Sequence, residues 1–115
     1  MMSSQSDAVP GEPVQLGSEA EFDRIVDAYD VVLVDFYADW CGPCQMMEPT
    51  IESLAAETDA AVLKVDVDQF QALAGQYQVQ GIPTLLVFAH GELAERMVGA
   101  QTGESLSQTL AGYTE

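Results

Sequence analysis

Val31-Val32-Leu33-Val34-Asp35-Phe36-Tyr37-Ala38-Asp39-Trp40-Cys41-Gly42-Pro43-Cys44 is the stretch on which the reading of this chain turns. From Val31 to Tyr37 it is apolar but for Asp35, the pattern of a strand covered on both faces. It then delivers the chain to Cys41 and Cys44, the only 2 cysteines among 115 residues. Pro43 suits the first turn of a helix, where its missing N–H would have had no partner, and Gly42 has no Cβ to obstruct an approaching molecule. If Cys41 opens that helix and Cys44 lies one turn inside it, their Cα atoms sit about 5 Å apart, within the roughly 4.4–6.8 Å that a disulfide needs. The pair can then pass between dithiol and disulfide with little backbone movement.

The length and a hydrophobic content of 48% suit one domain, which at this size buries roughly 65% of the surface its unfolded chain would expose. No apolar run approaches the ~20 residues of a membrane-spanning helix, and Met1 to Asp7 has neither a basic nor an apolar signal region. The reading is a soluble cytoplasmic protein, in whose reducing surroundings a close cysteine pair is catalytic or redox-active rather than a staple. Against 19 Asp and Glu stand only Arg24, Lys64 and Arg96, for a formal net charge of −16. Nucleic acid is a poor partner for such a polyanion. The acids are spread along the chain and alternate with apolar periodicity, which speaks against a disordered acidic tail. Adaptation to high salt is the expectation, since at 1 M the Debye length shrinks to about 3 Å and self-repulsion is screened.

Residues 1–13 read as a mobile leader, followed by one domain over 14–115. Val14 to Leu16 suggests a short edge strand, and Ser18 with Glu21 a capping box for a helix burying Phe22, Ile25, Val26 and Tyr29. The helix after the cysteine pair should run from Cys41 toward Glu57 with Met46, Met47, Ile51, Leu54 and Ala55 inward and a kink at Pro49. Ala61 to Val67 reads as a second buried strand, with Lys64 its anomaly, closing a parallel βαβ unit. A short helix capped by Asp68 buries Phe70, Leu73, Ala74 and Tyr77. After a Gln80-Gly81-Ile82-Pro83 turn, Thr84 to Phe88 is a third buried strand. His90-Gly91 turns into an edge strand through Leu93, Met97 and Val98, and Thr102 caps a last helix burying Leu106, Leu110 and Tyr113.

These motifs, taken in order, resemble the thioredoxin family from about Val14 to Tyr113: WCGPC at 40–44, an Asp on the strand before it, a Lys on the strand after it, and Gly-Ile-Pro-Thr at 81–84. The pattern alone supports an α/β domain. The resemblance implies the thioredoxin fold, a central mixed five-stranded sheet flanked by helices on both faces. It also implies a general reductant of protein disulfides, recycled by a thioredoxin reductase and monomeric. Two departures stand out: Tyr37 where a tryptophan is common, and Gln45 where a lysine is common, which removes a positive charge near the pair.

A thiolate rather than a thiol attacks a disulfide, so one cysteine needs a lowered pKa. The unpaired N–H groups and partial positive charge of a helix N-terminus favour a thiolate at Cys41, leaving Cys44 to resolve the mixed disulfide. Asp35 is a costly carboxylate inside a buried strand, and Lys64, the only lysine, is its natural partner. By the resemblance the two form a proton-transfer pair near Cys44; a purely structural ion pair is the alternative. The resemblance further implies a cis peptide before Pro83 and an apolar docking patch of Trp40, Ile82 and Gly99, beside an active-site loop tuned by Trp40, Gly42 and Pro43.

No metal or cofactor is expected. A zinc site wants four ligands, whereas the chain has no further cysteine and a single histidine, His90, in a turn. Asp66 and Asp68 lack the glycine and distal glutamate of a calcium loop. The rival reading of the whole is a thioredoxin-like docking module or subunit with little redox turnover, for which a charged pair beside two thiols would serve no purpose.

Overall fold

A computed structural model describes residues 8–114. Its elements run β1 (Val14–Gln15), α1 (Glu21–Ala28), β2 (Val31–Tyr37), α2 (Gly42–Met46), α3 (Glu48–Glu57), β3 (Ala61–Asp66), α4 (Gln71–Gln76), β4 (Thr84–Ala89), β5 (Glu92–Val98) and α5 (Gly103–Thr114). The five strands form one mixed sheet in the order β1-β3-β2-β4-β5, parallel across β1, β3 and β2 and antiparallel across β2, β4 and β5. Of the expected leader, residues 1–7 lie outside the described residues, and Val9 packs against the core.

β2 is central, and every one of its residues is buried. Alternation along a strand sends Val32, Val34 and Phe36 to one face, where they meet Phe22 and Val26 of α1 and Leu73 and Ala74 of α4. Val31 and Leu33 point to the other, against Ile51 and Leu54 of α3 and Leu106 and Leu110 of α5. Helices therefore cover both faces. Tyr77 stands at the rim of the first layer, its ring 5.5 Å from that of Phe22 and 5.8 Å, edge-on, from that of Phe88.

The helix after the cysteines departs from the single kinked element expected. Pro49 cannot donate an N–H to the carbonyl of Gln45, and its ring would crowd that carbonyl. The chain accordingly breaks at Met47, and Glu48 and Pro49 start a new helix. Met47, Ile51, Leu54 and Ala55 line the inner face at helical spacing. Met46, one residue earlier and so about 100° away around the axis, is 82% exposed rather than inward.

Two expected caps are also different. α1 starts after Ala20 with no side-chain cap, because the Ser18 carbonyl, not its hydroxyl, takes the Glu21 N–H, and Glu21 Oε1 accepts the N–H of Gly17, the residue before Ser18, at 3.2 Å. Asp68 does not cap α4. Asp66 instead accepts the Asp68 and Gln69 N–H groups, an Asx turn that a short side chain at a strand end readily makes. Thr102 does cap α5, its hydroxyl accepting the Ser105 N–H at 3.0 Å. On β5 only Met97 reaches the core, while Leu93 and Val98 are exposed, as an edge strand with one helix-covered face permits. The β4–β5 turn needs positive φ at His90 and Gly91, and a Cβ at Gly91 would meet Asp27 Oδ1 at 2.9 Å, which leaves glycine as the fitting residue.

Candidate active site

Cys41 and Cys44 are joined by a disulfide with a Cα–Cα distance of 5.2 Å. Cys41 is the cap of α2 rather than its first turn: its backbone is extended, and its Sγ accepts the Cys44 N–H at 3.2 Å. Pro43 occupies the first helical turn, where no donor is missed, and Gly42 is exposed. A donor aimed at Cys41 Sγ stabilises negative charge on that atom. Both cysteines are nearly covered, in a small cluster with Tyr37 and Ala38 that Val67 and Ile82 close.

The loop before β4 brings the Ile82–Pro83 bond to this cluster in the cis form. The Ile82 carbonyl oxygen lies 3.8 Å from Cys41 Sγ. Pro83 is buried, and its carbonyl is fixed by the N–H of Gly99, 2.8 Å away, at the end of β5. Gly99 takes a φ of +93°, which a residue with a Cβ adopts only with strain. Trp40 stands out from the surface at 69% exposure, and its indole N–H donates to Asp68 Oδ2 at 2.8 Å. Val98, also exposed, flanks Gly81. The Gln45 side-chain amide donates to the Asp39 carbonyl, tying the loop before the cysteines to α2.

Asp35 is buried in β2, opposite Lys64 on β3 and Leu85 on β4. Its carboxyl is pushed up to about 6, above all by burial; Lys64 opposes the rise and Glu48 adds to it. Sequence reasoning paired Lys64 with Asp35, but the contact pair is different. The Lys64 ammonium lies 2.8 Å from Glu48 Oε2 and 4.4 Å above the centre of the Tyr37 ring, and among the described residues no cation stands within 4.0 Å of Asp35. The strand register makes the two residues neighbours, yet a long side chain on β3 can swing its charge out to the half-exposed first turn of α3, where desolvation costs less. Lys64 is itself held protonated: burial would lower its pKa, but the hydrogen bond and charge of Glu48 raise it further. Tyr37, Ala38, Asp39, Cys44, Gln45 and Glu48 line an open cavity of about 330 Å³.

Glu48 and Val98 are the site-flanking residues that sequence reasoning missed. For Glu48 a signal existed: it lies four positions after Cys44, the spacing that stacks side chains on one helical face. Val98 was read only as a member of an amphipathic strand.

Among known families, the thioredoxin model matches residues 13–112. Thioredoxin of Staphylococcus aureus is 45% identical over 95 residues, 81% of this chain and 90% of that protein. Among solved structures, a single-residue mutant of thioredoxin from Halobacterium salinarum is 53% identical, with a TM-score of 0.91 over 96% of this chain and 97% of its own. Oxidised thioredoxin from Plasmodium falciparum is 31% identical, with a TM-score of 0.78 over 89% of this chain and 98% of its own. With a matching model over most of its length, the expected sheet and a cysteine pair at disulfide distance, the chain is a thiol–disulfide oxidoreductase of protein disulfides and belongs to the thioredoxin family.

Proposed function

We propose that this protein reduces protein disulfides with Cys41 as the attacking thiolate, Cys44 as the resolving thiol and Asp35 as the group that takes the Cys44 proton. The hydrogen bond from the Cys44 N–H to Cys41 Sγ carries the assignment, since it favours the thiolate at Cys41 and leaves Cys44 without equivalent help. Cys41 thiolate attacks one sulfur of the substrate disulfide; a Cys41–substrate bond forms and the first substrate thiolate leaves. Cys44 then gives its proton to Asp35 and attacks Cys41 Sγ. The Cys41–Cys44 bond forms, the substrate's second thiolate departs, and two electrons have moved from protein to substrate. A thioredoxin reductase is the donor that restores the dithiol.

Trp40, Ile82, Pro83 and Gly99 form the docking patch for an extended substrate segment, with Gly42 leaving the approach to Cys41 open. The Ile82 carbonyl, already aimed at Cys41, can accept a hydrogen bond from the substrate backbone. Asp68 holds the indole of Trp40 in place. Asp68→Ala is expected to raise KM for a protein disulfide about two- to fivefold with kcat kept, since a hydrogen bond between exposed groups contributes roughly 1 kcal/mol; steady-state kinetics with a folded disulfide substrate checks it. The buried Asp35 beside a redox pair favours this reading over a docking module, because an uncompensated carboxylate in a strand carries a cost that a scaffold has no reason to bear.

The active form is a cytoplasmic monomer, one domain over 14–115, working in high salt. None of the described helices is long and apolar enough to cross a membrane. With a net charge of −16, self-repulsion opposes the compact state until salt screens it. The reduced protein is therefore expected to cleave a test protein disulfide rapidly in molar salt, and to lose both helical circular dichroism and activity on dialysis into dilute buffer. A melting temperature equal in the two media would remove the salt adaptation, and failure of the folded protein to cleave in either would remove the reductase reading.

A further inference from the structure

Among the described residues, Lys64 is the single cation at the site, and two carboxylates compete for it. Glu48, at the start of α3, has won the contact at 2.8 Å, and the Tyr37 ring beneath the ammonium fixes it there. Asp35, directly across the strand pair from Lys64, is left to feel that charge at longer range. Glu48 also lines the cavity that reaches Cys44.

We propose that Glu48 is a positioning residue of the resolution step: by holding the Lys64 ammonium at the mouth of the cleft, it denies Asp35 a contact cation and so keeps Asp35 able to accept a proton from Cys44 near neutral pH. The inference rests on Asp35 acting as the base, as proposed above. A carboxylate in direct contact with an ammonium is a weak base, because the pair favours the ionised form. A buried carboxylate with no contact partner is a stronger one, and a nearby anion strengthens it again. Both conditions are met here, with burial the larger influence on Asp35 and Glu48 a further one in the same direction.

Among the described residues the ionisable and charged groups around Asp35 are few, and Asp39, just after β2, lines the same cavity as Cys44 and Glu48. β3 brings Lys64, the first turn of α3 brings Glu48, and β2 itself brings Tyr37, two residues along on the same face. α2 brings Cys44 with Cys41 at its cap, while β4 presents the apolar Leu85 and α5 the apolar Leu106 and Leu110. Tyr37 is held neutral above its usual range, chiefly by burial, so the balance at Asp35 is set between Lys64 and Glu48.

Glu48→Gln tests this, since it removes the charge while leaving an amide oxygen for the ammonium, and its half-exposed position makes the change tolerable to the fold. The titration of Asp35 is followed by carboxyl carbon-13 NMR, and mixed-disulfide resolution by rapid mixing across pH 5 to 9, both in molar salt. Loss of Glu48 is expected to lower the Asp35 midpoint by about half a pH unit or more and to carry the pH limb of the resolution rate down with it. Glu52→Gln, which removes the same charge from an exposed position of α3 outside the site, should move neither. An unmoved limb in Glu48→Gln overturns the inference, as does an equal movement in Glu52→Gln. Asp35→Asn separates the two levels: if it leaves the pH profile of resolution unchanged, the base assignment falls and this inference with it. If it changes the profile while Glu48→Gln does not, the inference alone falls.

Discussion

Cys44→Ser is expected to stop the reaction halfway, with the substrate left covalently attached to Cys41, while Cys41→Ser is expected to abolish it. The two cysteines are equivalent in composition but not in surroundings. Cys41 is the helix cap whose Sγ receives the Cys44 N–H, and it lies 3.8 Å from the Ile82 carbonyl. Without Cys41 no mixed disulfide forms, and turnover should fall on the order of a thousandfold or more, to the rate of unassisted exchange. Without Cys44 the first step persists, and the adduct accumulates because nothing adjacent can attack Cys41. Mass spectrometry of the two variants after mixing with a protein disulfide is the check. An adduct on Cys44 in Cys41→Ser, at a rate near that of the intact protein, would reverse the assignment.

Asp35→Asn is expected to make the protein more stable and less active at once. The sign follows from proton affinity. Asp35 in the folded protein holds its proton up to about 6, against an ordinary 3.8, so the fold is favoured while the group is protonated. That contribution is complete below about pH 4 and is lost as pH rises to 6 and beyond, where the fold must bury an ionised carboxylate. The difference in proton affinity amounts to about 3 kcal/mol at neutral pH. Asparagine, close in shape and never charged, escapes the loss. Urea unfolding of the oxidised proteins in the same salt should therefore show the variant ahead by about 3 kcal/mol at pH 7 and level with the parent near pH 4. Resolution should slow by about tenfold or more, as expected for a displaced general base. Equal stabilities at pH 7 would mean that Asp35 is not carrying this burden.

The site divides into residues that could be read from the chain and residues that could not. The cysteine spacing, Pro43 in the first helical turn and the apolar run of β2 all express short-range geometry, and the fold returns a Cα–Cα distance of 5.2 Å close to the one that helical spacing implies. Asp35 was legible as an anomaly because a carboxylate in an apolar run is costly wherever the strand ends up. Lys64 was legible for the same reason, but its partner was not. Strand register brings Lys64 level with Asp35, and a reading that stops at register pairs them. The lysine side chain is long enough to choose, and the choice fell on Glu48 at the start of α3. Asp68 was misplaced because its role depended on where a helix starts, which the competition between backbone and side-chain hydrogen bonds settles, and Met46 because adjacent helical positions point about 100° apart.

What the amino-acid order determined by itself was the alternation of buried strands with amphipathic helices, the redox pair and the polyanionic surface, because periodicity, spacing and charge count act within a few residues or over the whole chain at once. What the tertiary structure alone decided was which groups meet across the fold. The cis Ile82–Pro83 carbonyl beside Cys41, the indole of Trp40 on Asp68 and the ammonium of Lys64 on Glu48 join residues 41, 28 and 16 positions apart. Contacts of that kind depend on strand order, on the points where helices break and on the reach of individual side chains, none of which is a property of a local stretch.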